Sequence, residues 1–268
     1  MKLKVLVDNN TFIDMYYLAE PAVSYFIQDK DTALLFDTGY SDVFLLNAKK
    51  MGIDLNKADR IALSHGHNDH SGGLGYLKSC GKKFKLIAHP GAFVEREDDA
   101  GTKIGSPLSE EAIRERFDVS CHTEPYFIND RLVFLGQIET SLPFETRYAI
   151  GRKYENGTSA EDLILDDSAL VYKGRDGLFI ITGCSHAGIC NIIEYAKKVC
   201  GCDKIHGVIG GFHLFENDER LSRTIDYLSE NKIELLYPCH CVSLAAKIEI
   251  GRKLKIREVG VGLELDIE

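Results

Sequence analysis

The sequence has no tryptophan, no Pro/Ser-rich or low-complexity stretch, and no apolar window approaching the length of a membrane span. The missing tryptophan excludes nothing by itself. The missing linker argues against separate modules. A length of 268 residues suffices for one large core, so we expect a single domain over residues 1–268. Positive charge is in deficit, 32 Lys and Arg against 41 Asp and Glu, a formal net charge of -9. Such a surface does not attract nucleic acid or anionic lipid, and leaves room only for a local basic pocket. The opening MKLKVLVDNN turns polar after a few apolar residues, which predicts no secretory leader and a cytoplasmic protein. In a reducing compartment the eight cysteines read as mostly buried thiols rather than disulfides. Three stand beside histidines: Cys239 and Cys241 flank His240, and Cys184 lies two residues before His186.

What the chain does have is strand and helix patterning in two similar halves. KLKVLVDN, AVSYFIQD and TALLFDTG read as strands, the last two joined by a hairpin turn. SDVFLLNAKKM repeats apolar positions at helical spacing and stops at Gly52. RIALSHGH is a strand running into a loop, GGLGYLKSC a short helix, and KFKLIAHP a strand ended by Pro90. Residues 91–160 form a loop-rich excursion suited to covering a substrate. It holds one helix, SPLSEEAIRERF, capped either by a serine with proline just inside or by Ser109 with acidic residues after it. Then SALVYKG and GLFIITGC are strands, GICNIIEYAKKVC a helix, KIHGVIGGF a strand, DERLSRTIDYLSENK a helix and IELLYPCH a strand. AAKIEIGR fits helix or strand, and LKIREVGVGLELDI closes in extended segments. Hairpins followed by alternating strands and helices imply an α/β protein with two mixed sheets stacked between helical layers.

Histidine is scarce, nine in all, yet three histidines and an aspartate fall within SHGHNDHSGG, residues 64–73. His65 and His67, two apart, point the same way in an extended segment. Asp69 and His70 follow in the first turn of a helix. Imidazole nitrogens and a carboxylate suit zinc and also fit iron or manganese. Structural zinc usually closes its shell with more cysteine, whereas a His/Asp-rich set leaves a position for water, and two neighbouring metals can share it. Further donors must come from elsewhere, and His186, His213 and His240 each stand where a strand gives way to a loop. His89 does too, although Pro90 also turns the chain there; His122 and His206 have weaker contexts. Asp37, at the end of LLFD, either shapes a turn or holds the second nitrogen of a ligand histidine.

With LLFDTG, IALSHGHNDHSGG, ITGC and YPCH, nearly the whole chain resembles the metallo-beta-lactamase fold superfamily, whose hallmark is H-x-H-x-D-H. SYFIQ, NAKKMGIDL, DDSAL, TGCSHAGI, GGFHL, PCHC and VGVG resemble more narrowly the archaeal and bacterial subgroup that includes dihydropterin ribofuranosyl-aminobenzene phosphate synthase. The resemblance implies a four-layer αββα sandwich and a binuclear centre of two divalent metal ions, zinc first, with iron or manganese also compatible. His65 and His67 would serve a first metal; Asp69, His70 and His240 a second. The family's bridging carboxylate normally ends a strand where this chain has Cys184, and its upstream histidine is absent. His186 is the expected replacement, with Cys184, and less so Asp167, as bridging candidates. His213 is read as a substrate-facing catalytic group beside Asp69, with a ligand role as the alternative. Pro21 in AEPAV stands where the subgroup often has histidine, and HCVS replaces HCTG. A histidine at position 67, where oxygen-reducing members carry glutamate, favours hydrolytic chemistry.

The expected function is a metal-dependent hydrolase acting on a small, phosphorylated or pterin-like substrate through a metal-bound hydroxide, the metal lowering the pKa of water from about 15.7 towards 7. Lys103, Arg147, Arg152 and Lys153 are candidate anion contacts, each also readable as solvated surface charge. The alternatives are a synthase or transferase of the pterin type and a non-catalytic metal-binding or sensing protein. G-x-S-x-G is missing and no phosphate loop is present, which argues against nucleophilic serine or nucleotide chemistry. The expected partners are a small-molecule substrate and a second copy of the chain, with neither nucleic acid nor membrane.

Overall fold

The computed structural model describes residues 1–77, 83–155 and 157–268. The chain begins with β1 (Lys2–Val7), β2 (Ser24–Asp29), β3 (Thr32–Phe36), α1 (Val43–Lys50), β4 (Arg60–Ala62), α2 (Asn68–Ser71) and β5 (Lys85–Ala88). Next come β6 (Glu95–Glu97), α3 (Glu110–Arg116), β7 (Asp118–Cys121), β8 (Tyr126–Phe127), β9 (Leu132–Phe134), β10 (Arg152–Glu155) and β11 (Thr158–Glu161). The second half contributes β12 (Ala169–Gly174), β13 (Gly177–Thr182), α4 (Ile189–Cys200), β14 (Ile205–Gly210), α5 (Glu219–Glu230), β15 (Leu235–Pro238), α6 (Leu244–Lys253) and β16 (Glu264–Asp266).

Seven strands form one sheet in the order β16-β1-β2-β3-β4-β5-β7, and six form a second in the order β15-β14-β13-β12-β9-β8. Period-two alternation decides which side chains go where. In β2 and β3, Tyr25, Ile27, Leu34 and Phe36 face the other sheet, where they meet Leu170, Tyr172, Phe179 and Ile181. The intervening Phe26 and Leu35 pack outward with Phe44 and Ala48 of α1 and Ile113 of α3. In β13, Leu178 and Ile180 face α4 and α5, against Ile192, Ile193, Leu221 and Ile225. Both faces of β13 are covered, so it reads GLFIIT without a polar interruption until Thr182, as a strand buried between β12, antiparallel to it, and β14, parallel to it, should. Helix, sheet, sheet and helix are thus stacked in four layers, as the sequence resemblance implies.

Caps fix the helix ends. The side chains of Ser109, Asp218 and Ser243 accept hydrogen bonds from the backbone N–H three residues on, at the starts of α3, α5 and α6. The ambiguous AAKIEIGR is therefore helical. GGLGYLKSC forms a 3-10 turn over Gly72–Tyr76 instead of an α-helix, and its last residues, 78–80, lie outside the described ones. The loop-rich segment 91–160 supplies β7 to the edge of the first sheet and β9 and then β8, at the edge, to the second, and β6, β10 and β11 make a separate three-stranded sheet. Of the final extended stretch, only β16 joins a sheet, antiparallel to β1. No helix among the described residues is long and apolar enough to cross a membrane.

β3, β4, β5 and β7 run parallel, as do β13, β14 and β15. Their carboxyl ends open along one edge, where layered α/β folds place ligands.

Candidate metal centre

Most of the donors stand at the carboxyl ends of strands, while His67 caps α2 and Asp69 and His70 lie within it. Asp37 follows β3, and Ser64 and His65 follow β4. Cys184, Ser185 and His186 follow β13, His213 follows β14, and His240 follows β15. Asp37, Ser185, His213 and His240 all have φ between 50° and 60°, a region that costs non-glycine residues on the order of 1–3 kcal/mol. The backbone thus turns sharply at each strand end to bring the side chains inward. Close approach also requires Gly66 and Gly183: a Cβ on the first would collide with the Ala92 carbonyl oxygen, and on the second with Ser64 Oγ.

Two donor groups result. His65, His67 and His186 form the first and Asp69, His70, Cys184 and His240 the second. In the first, His65 Nε2 lies 3.0 Å from His67 Nδ1 and 3.2 Å from His186 Nε2. Burial holds all three rings well below the ordinary histidine pKa, His67 at about 3, with Arg96 adding to the effect there. Neutral imidazoles whose nitrogens converge in this way present lone pairs to a common point, which suits a cation. Among the described residues, His67 Nε2 and His186 Nδ1, the nitrogens on the far sides of the rings, have no hydrogen-bond partner. The three converging nitrogens on the near sides, from neutral imidazoles, fit a transition metal.

In the second group, Cys184 Sγ lies 3.2 Å from both His70 Nε2 and His240 Nε2, and Asp69 Oδ2 lies 3.4 and 3.3 Å from the same nitrogens. Asp37 accepts from His70 Nδ1 at 2.7 Å and from the backbone and hydroxyl of Ser64, each at 2.7 Å. Holding Nδ1–H fixes the tautomer and leaves Nε2 to the donor group. Burial opposes charge on His70, but Asp69 and Asp37 outweigh it and raise its pKa. Burial would likewise raise Asp69, yet His70 and His240 hold its carboxyl well below the usual range. Asp167 belongs to neither group. Its carboxylate accepts from the Ala187 N–H at 2.8 Å and braces the loop carrying His186, with burial pushing its pKa up to about 6.

His213 Nδ1 is a buried nitrogen without a partner among the described residues, and its ring lies 4.4 Å from that of His186. With Cys184 and Cys241 it forms a third group of donors. His89 bonds Gln137, His122 bonds Ser120, and His206 lies near Glu234, so these three stand apart from the donor groups. Of the four basic candidates, Arg147 donates to the carbonyls of Leu163 and Ile164, Arg152 to Ser159, and Lys153 lies near Glu155. Lys103 lines a neighbouring hollow with Tyr40 and Asn68.

Sequence reasoning missed the braces. His240 Nδ1 meets Asn9 Oδ1 at 3.1 Å, and its backbone N–H donates to Asp8 at 3.0 Å. Two polar residues directly after the apolar β1 were the available signal. Asp166 accepts from the Gly66 N–H at 2.9 Å and pairs with buried Arg96, which also donates to Asp162 at 2.7 Å. A cleft of about 560 Å³ opens over the groups, lined by His67, Asp69, Cys184, His186, His213 and His240, within the range usual for small-molecule sites.

Fold and donor arrangement define a metallo-beta-lactamase-type protein, and residues 18–197 match the metallo-beta-lactamase superfamily, to which the chain belongs. It is 31% identical over 264 residues to the 7,8-dihydropterin-6-methyl-4-(beta-D-ribofuranosyl)-aminobenzene-5'-phosphate synthase of Methanocaldococcus jannaschii, covering 92% of this chain and 89% of that one. A second protein of that organism, described as uncharacterized, is 32% identical over 255 residues, covering 93% of this chain and 94% of the other. The solved structure of Tm1679, described as a metal-dependent hydrolase of the beta-lactamase superfamily, superposes with a TM-score of 0.86 at 29% identity, over 99% of this chain and 98% of that one.

Proposed function

We propose that this protein is a metal-dependent hydrolase acting on a small substrate with a phosphate or a pterin-like ring. The observation that carries this reading is that five of the donors, His67, Asp69, Cys184, His186 and His240, line an open cleft, with Asp69 still 26% exposed by its side chain. A centre that merely stabilised the fold would be enclosed. His65, His67 and His186 would hold one divalent ion, and Asp69, His70, Cys184 and His240 a second; zinc suits this mixture of imidazole, carboxylate and thiolate. Bound there, the ions would supply Lewis acidity and water of lowered pKa. Asp69, held ionised by its neighbours, orients the attacking group. His213 and Phe215, rings 4.8 Å apart, form a cleft wall against which a planar group can lie.

The 31% identical synthase supports a second reading, formation of a bond to a dihydropterin, in which the amine nitrogen of an aminobenzene acceptor would take the place of water, attack the pterin's methylene carbon and expel the phosphate-type group carried there. The test is a panel of phosphodiesters, lactones, thioesters and pterin phosphates, presented to metal-replete protein with and without a ribofuranosyl-aminobenzene phosphate acceptor. Acceptor-independent release, abolished in His67→Ala, supports hydrolysis. Product formed only with the acceptor supports the synthase. Full activity after complete metal removal would overturn both.

A further inference from the structure

Cys241 belongs to neither donor group just assigned to an ion, yet it approaches the second one closely. Its Sγ lies 3.5 Å from the Cys184 carbonyl oxygen, on the inner side of the β15 end. Gly211 makes the approach feasible, because a Cβ there would collide with Cys241 Sγ. His213 enters from the end of β14, with φ of 50° turning its ring inward, where Nδ1 is buried without a partner. One donor atom from each of Cys184, His213 and Cys241 falls within 4.8 Å of the others. Two sulfurs and a nitrogen around a tetrahedral zinc stand roughly 3.5–3.8 Å apart, given metal–sulfur and metal–nitrogen bonds of about 2.3 and 2.0 Å. A bound of 4.8 Å is within about 1 Å of that spacing, a difference that side-chain rotation on ion binding can close.

We propose that Cys184, His213 and Cys241 form a third metal position, selective for a thiophilic ion such as zinc or cadmium, with the Cys184 sulfur shared with the second donor group. Cys241 adds a thiolate of its own to the shared one, and soft sulfur discriminates against magnesium and calcium. His213 and Cys241 both line the cleft. The fourth coordination position therefore opens towards substrate, and a thiol- or thione-bearing small molecule could complete it. The position extends the proposed centre but draws on two residues that the hydrolase and synthase readings leave without a metal.

The probe is cadmium, titrated into metal-free full-length protein, with stoichiometry read by calorimetry and thiolate ligation by ultraviolet absorption. Wild type should bind three equivalents, and Cys241→Ser and His213→Gln should each bind two. His67→Ala should lose a different equivalent and keep the absorption attributable to Cys241. Three equivalents in both Cys241→Ser and His213→Gln, or only two in wild type, would overturn the third position. Should Cys241→Ser fail to fold by circular dichroism, His213→Gln, at a half-exposed residue of the cleft wall, decides alone. Retention of all equivalents by His67→Ala would instead refute the first donor group, so the two readings fail separately.

Discussion

Asp37 and His70, 33 positions apart, meet through a 2.7 Å hydrogen bond between Oδ2 and Nδ1, with both side chains fully buried. That bond determines which histidine nitrogen is free for an ion. Asp37→Asn keeps the shape but removes the charge, and can present an N–H to a ring that needs an acceptor. We expect a 10–100-fold loss of metal affinity, the usual scale for such outer partners. A competition titration with a chromophoric chelator measures it; wild-type affinity would show that the tautomer is set elsewhere.

Metal uptake should weaken as pH falls. Asp37 and Asp69 raise the pKa of His70, so a proton must leave its ring before an ion binds. Proton release on zinc addition, followed in two buffers of different ionisation enthalpy, checks this.

In the metal-free protein the buried histidines should make stability fall as pH drops below the ordinary histidine pKa of 6.5. His65, His67 and His186 are depressed by burial, so below 6.5 the unfolded chain binds protons that the folded one refuses, until His67 titrates at about 3. Stability therefore falls with falling pH by about 1.4 kcal/mol per unit for each such proton. His70 is shifted the other way. Its contribution is complete below 6.5 and is lost as pH rises through its elevated folded value. Urea unfolding of chelator-treated protein across pH 4.5–8.5 tests both slopes.

His67→Ala should lose most of one metal equivalent, read by plasma emission spectroscopy on dialysed protein. Cys184→Ala should diminish the thiolate-to-metal band of the cobalt-substituted protein. An unchanged band would remove Cys184 from the donor set.

Arg96→Ala should destabilise the fold by about 3–5 kcal/mol, because it leaves Asp162 and Asp166 buried without their cation. Asp166 also holds the Gly66 N–H, so metal affinity should fall with stability. Thermal unfolding together with metal analysis separates the two effects.

Much of this was legible in the chain. The short apolar runs in SYFIQD and TALLF, bounded by the turn residues between them, read as a strand hairpin, and they form one. The H-x-H-x-D-H spacing placed four donors on one strand-to-helix turn. Cys241 was missed as a donor, since a thiol beside a histidine has no spacing rule that distinguishes it from a buried core residue. Arg96, Asp166, Asp8 and Asn9 were missed because their importance lies in what they hold, and their partners are 66 to 232 positions away.

The sequence by itself determined the donor chemistry, the two similar halves and the layers they build, because these follow from residue type and local periodicity. Tertiary structure alone decided that His186 meets His65 across 121 positions, that Cys184 sits between His70 and His240, and that the third set of donors exists at all. Two stacked sheets with their parallel strands ending at one edge bring these side chains together, and such a meeting depends on packing between strands that no local pattern encodes.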